Sequence, residues 1–143
     1  MKASNLHDLW NSPDNSRLTS KQYSFRLPTH IAAKIAALCE MYPIKNRTQV
    51  VADLLTSAMD DLEQSLPQEL GLPIDMEEQH RENEIAEHLG NEPEKIYHLG
   101  GAKGQFHHLA NKYFKEYETE LGNESPTLLF EEQYLTESVL KKD

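Results

Sequence analysis

The sequence predicts a mainly α fold: one short strand and two helices per chain, joined to a second chain through an intermolecular two-stranded ribbon and followed by an acidic helical C-terminal region. Three observations carry this expectation. Residues 22–27 alternate polar and apolar side chains, the period of a strand with one buried face. Two apolar stripes at helical spacing follow directly. The strand has no partner in its neighbourhood, and a lone strand leaves backbone N–H and C=O groups without hydrogen bonds. A segment of about 45 residues also makes a poor independent core. Antiparallel pairing of two copies would supply both the missing strand and the missing core.

The elements read in order as follows. Residues 1–20 carry Leu6, Leu9 and Trp10 on one stripe and then the polar breaker Asn11-Ser12-Pro13-Asp14-Asn15-Ser16, a short helix and a linker. In residues 21–67, Tyr23, Phe25 and Leu27 alternate with Gln22, Ser24 and Arg26; Pro28 ends the strand and Thr29 is the expected N-cap. Ile31, Ile35, Leu38, Cys39 and Tyr42 mark the first helix, which Pro43 stops. The second helix starts after Lys45-Asn46-Arg47, capped by Asn46 or Thr48. Its broad stripe is Val50, Val51, Leu54, Leu55, Ala58, Met59, Leu62 and Leu66, and Pro67 ends it. The expected dimer core is Tyr23, Phe25, Leu27, Ile35, Leu38, Val51, Leu54 and Leu55.

Residues 68–143 are less ordered in pattern. Gly71 and Pro73 make 68–75 read as a linker. Residues 76–89 read as an acidic helix with Met76, Ile85 and Leu89 as its few apolar anchors. Pro93 and the run Gly100-Gly101-Ala102-Lys103-Gly104 make 90–104 read as loop. Phe106, Leu109, Tyr113, Tyr117 and Leu121 form the stripe of a helix over 105–121, and the tail carries Leu128, Leu129, Phe130, Tyr134, Leu135, Val139 and Leu140.

The net charge of −10 over 143 residues is unevenly spread. Residues 67–143 hold seventeen Asp/Glu against seven Lys/Arg, whereas residues 17–66 hold six Lys/Arg against five Asp/Glu. The total therefore argues against indiscriminate coating of nucleic acid or anionic lipid, and leaves DNA binding by residues 17–66 open. Cys39 is the only cysteine, which excludes an internal disulfide and a cysteine-based zinc site and fits a reducing compartment. The first fifteen residues hold no apolar run of the signal-peptide kind, and no window approaches the ~18 apolar residues of a membrane helix. A cytoplasmic protein with no membrane partner is expected.

Residues 22–66 resemble the ribbon-helix-helix DNA-binding proteins of the Arc and MetJ repressor type. The likeness lies in Tyr23-Ser24-Phe25-Arg26-Leu27-Pro28, in the Ala-rich helix from Thr29 to Tyr42, and in Lys45-Asn46-Arg47-Thr48-Gln49-Val50-Val51. It implies a homodimer whose β-ribbon enters the major groove of double-stranded DNA, with Gln22, Ser24 and Arg26 at the base edges. Arg donates two hydrogen bonds to guanine and Gln pairs with adenine. Lys21, Lys45, Asn46, Arg47 and Thr48 would grip phosphates, the last three at a helix N-terminus with free N–H groups. The plain alternative is that the polar row is only the wet face of a strand. The first 66 residues also resemble small bacterial proteins labelled pilin-assembly or pilus-tip components, in Leu9-Trp10, Arg17-Leu18-Thr19 and Ala36-Ala37-Leu38 with Met41-Tyr42-Pro43. A pilus-tip role implies export.

Other constellations read more plainly. His80, Glu84 and His88 stack on one helix face without the His-Glu-x-x-His spacing of metal hydrolases, so a polar surface is expected there. The Gly100–Gly104 run lacks the Gly-Lys-Ser/Thr ending of a P-loop and reads as a C-cap and turn. No catalytic set, metal site or cofactor is expected. The expected function is transcriptional regulation by a DNA-binding homodimer. The alternative is a protein-interaction adaptor or antitoxin whose residues 76–143 bind a basic protein partner.

Overall fold

A computed structural model describes residues 2–10, 18–19 and 21–140. The linker read at 11–17, Arg17 included, lies outside the described residues. The chain divides into two units, residues 1–65 and 66–143.

In the first unit, a 3₁₀ turn at Ala3–Asn5 runs into α1 (Leu6–Leu9). Pro28, with φ −55° and ψ 146°, holds the N-cap position of α2 (Thr29–Met41), so Thr29 is the first helical residue and not the cap. Pro43 cannot donate a backbone hydrogen bond, and α2 closes at Tyr42. Helix α3 (Arg47–Ser65) starts at a reciprocal capping box. The Asn46 side chain accepts from the Gln49 N–H at 2.8 Å, and the Gln49 side chain accepts from the Asn46 N–H at 3.0 Å. The core here is Leu6, Trp10, Tyr42 and Val50, with Leu38, Cys39 and Leu54 packed against it. The Trp10 indole donates to the Asp53 carboxylate at 2.7 Å, both side chains buried. His7 and Trp10 both set their rings against Tyr42.

The second unit holds the strands. β1 (Glu69–Pro73), β2 (Ile96–Gly100) and β3 (Tyr134–Thr136) form one antiparallel sheet in that order. Leu70 pairs with Leu99, Tyr97 with Leu135, and a bulge falls between Leu70 and Pro73. α4 (Met76–His88) follows β1; its N-cap Asp75 accepts from the Glu78 N–H at 2.8 Å. α5 (Gly101–Glu120) packs on β1 and β2, and α6 (Glu137–Leu140) ends the described chain. Ile74, Leu135 and His107 are buried, and the His107 ring stacks on Phe130 with centroids 4.1 Å apart.

This is an α+β fold, and it overturns the mainly α expectation of one strand per chain paired only across a dimer. Residues 22–27 form no strand, and the three strands pair within the chain. The sequence signals mislead here for physical reasons. Gly71 and Pro73 suggest a linker, yet Gly71 lies against the His98 carbonyl, where a Cβ would sit 2.7 Å away. The glycine run is not a turn after a helix: Gly100 ends β2 and Gly101, at φ +74°, opens α5.

Candidate nucleic-acid interface

Alternation along residues 21–28 survives without a strand. Every residue of this segment is exposed, and the Tyr23 and Phe25 rings stack nearly parallel with centroids 6.2 Å apart. Residues two apart thus share a side, as period-2 backbone requires. Phe25 is 73% exposed and Leu27 48%. Gln22, Ser24 and Arg26, of the opposite parity, are exposed as well.

The second group expected to meet DNA is the start of α3. Asn46, Arg47 and Thr48 are exposed there. The capping box already uses the Asn46 and Gln49 N–H groups, so fewer donors remain for an anion than an uncapped N-terminus would offer. Lys21 is exposed, and its backbone N–H donates to the Thr19 hydroxyl at 3.2 Å. Lys45 departs from the expectation. It is 3% exposed and its Nζ has no hydrogen-bond partner, so its amino group is interior and not offered at the surface to a phosphate.

The residues read as a dimer core split into two sets. Ile35, Leu38, Val51 and Leu54 are half-buried within one chain, while Tyr23, Phe25, Leu27 and Leu55 stay exposed. Met59 and Leu62 lie exposed one and two turns beyond Leu55 on α3. α2 buries no residue fully. What sequence reasoning missed is the role of the N-terminal residues: Leu6 and Trp10, at helical spacing, cover the α2–α3 pair and close its core.

His80 Nε2 lies 3.0 Å from Glu84 Oε1 on the exposed surface of α4. Among the described residues no group of three or more His, Cys, Asp or Glu is placed to hold a metal ion, and no helix is long and apolar enough to cross a membrane. No family model matches the chain, and neither a curated protein nor a solved structure matches it.

Proposed function

We propose that the protein is a homodimeric, sequence-specific DNA-binding transcriptional regulator. Two copies meet through Phe25 and Leu27 of residues 21–28 and offer Gln22, Ser24 and Arg26 from each copy to the major groove. The observation that carries this reading is the exposure of a whole segment whose two side-chain parities differ in chemistry. One parity holds large apolar residues, which full burial would stabilise by about 1.5–3 kcal/mol each. The other holds side chains able to read base edges. Arg47 and Lys21, both exposed, are the cations that would meet phosphate.

The test is an unbiased selection of bound duplexes with the full chain, followed by two variants. Arg26→Ala is expected to cost about 1–3 kcal/mol per bidentate base contact and to relax specificity. Arg47→Ala is expected to weaken binding to all sequences alike and to flatten the salt dependence. A second reading, an adaptor in which the dimer only pairs chains, is favoured by the exposed carboxylates of α4. An Arg26→Ala variant that keeps the wild-type DNA affinity would select it.

A further inference from the structure

Helix α4 turns polar residues toward its own unit. Gln79 is the clip: its amide nitrogen donates to the Glu94 carbonyl at 2.9 Å and to Asn83 Oδ1 at 2.9 Å, while its oxygen accepts from the Ile96 N–H at 2.9 Å. Such a clip fixes a helix beside a sheet without filling the space next to it. Two cavities of about 280 and 540 Å³ occupy that space, and both are lined by Glu82 and Ile96, so they adjoin. Ile74, Ile96 and Tyr134 give the groove apolar surface. Glu78, Glu82, Glu92 and Glu94 line it with carboxylates, against the single cation Arg81.

We infer that this groove seats a basic segment of a partner protein, with Lys or Arg stems along Ile74, Ile96 and Tyr134 and their charged heads at Glu78, Glu82 and Glu94. Long cationic side chains carry this combination of apolar stem and charged tip. A purely apolar occupant would strip water from four carboxylates without compensation. A second copy of this unit is disfavoured by its own charge, since residues 67–143 hold seventeen acidic residues against seven basic ones. The Tyr134 phenol has a raised pKa, first through its hydrogen bond to Glu132, then through desolvation, and further through the charges of Glu132, Glu78 and Asp75. This inference goes beyond the DNA-binding reading and stands on the second unit alone.

The experiment uses the full chain and a fluorescein-labelled octapeptide of alternating Arg and Ala, with a Glu-Ala peptide as control, read by fluorescence anisotropy. Glu82→Lys alters a residue shared by both cavities, while Glu116→Lys makes the same charge change on α5 outside them. The expected result is that Glu82→Lys weakens the Arg-Ala peptide by about tenfold and Glu116→Lys by no more than about twofold. Amide shifts on adding the peptide should centre on Glu82, Ala86 and Ile96. Both side chains changed are exposed, and circular dichroism checks that the variants fold. Equal weakening by both variants would reduce the effect to overall charge and overturn the proposal. So would failure of the Arg-Ala peptide to bind, or tighter binding by a peptide of residues 17–28, which would assign the groove to the chain's own basic segment.

Discussion

The two units complete themselves in different ways. In residues 66–143 the polar backbone closes within the chain: β1, β2 and β3 pair with one another, and side-chain clips tie the connecting segments down. Asn111 is the clearest, accepting from the Phe130 N–H at 2.8 Å and donating to its carbonyl at 2.9 Å, as a neighbouring strand would. Residues 1–65 close one side, where Leu6 and Trp10 cover α2 and α3. Phe25, Leu27, Leu55, Met59 and Leu62 of this unit stay exposed. The backbone pairing of residues 66–143 lies inside the chain and holds at any concentration, although this unit too exposes large apolar side chains such as Leu72, Met76 and Leu89. A region with an open apolar row gains stability from whatever covers it, and if a second copy does so the gain rises with protein concentration.

Substitutions can break this contrast, beginning with the strongest. Trp10→Ala removes a buried aromatic and the donor to the Asp53 carboxylate, so it is expected to cost about 3–5 kcal/mol. Hydrogen exchange should locate the loss in α2 and α3 and leave the sheet protected. Asn111→Ala is the converse: it leaves two Phe130 backbone groups without their partners at a cost of about 1–3 kcal/mol, with the loss confined to the sheet and α5. Lys45→Met should raise stability by about 1 kcal/mol, because it replaces a buried polar nitrogen that has no hydrogen-bond partner, and thermal melts would read the sign. The same variant should leave DNA affinity unchanged, which separates an interior Lys45 from a phosphate contact.

The smallest effect is a pH dependence in the second unit. The Tyr134 phenol, held up first by its bond to Glu132, keeps its proton above the ordinary tyrosine value near 10. A raised folded pKa means that the contribution is fully present below the unfolded value and is lost as pH rises through the folded one. Ultraviolet titration of Glu132→Gln should show Tyr134 ionising earlier than in the wild type.

The helices were legible where local signals and packing agreed. Pro28 and Pro43 bracket α2, Asn46 announces α3, and the Phe106, Tyr113 and Tyr117 stripe lies in α5. The strands were not legible, because each is short and draws its stability from pairing with segments far along the chain. β1 is the sharpest case: Gly71 and Pro73 carry the composition of a linker, while close approach to β2 requires the glycine. Of the candidate site, the alternation at 22–27 was readable from the residues alone. The interior position of Lys45 was not, since a lysine next to a helix start carries no local mark of burial.

The central claim is that the first unit needs a second copy to cover residues 21–28. Sedimentation equilibrium of the full-length protein and of Phe25→Asp at micromolar concentration tests it most directly. A charge placed at residue 25 would lie unpaired in the shared apolar surface and oppose association. The account predicts a dimer for the wild type and a monomer for Phe25→Asp, with the sheet of the second unit intact in both. A wild type that sediments as a stable, fully folded monomer, or a Phe25→Asp variant that dimerises as well as the wild type, would contradict it.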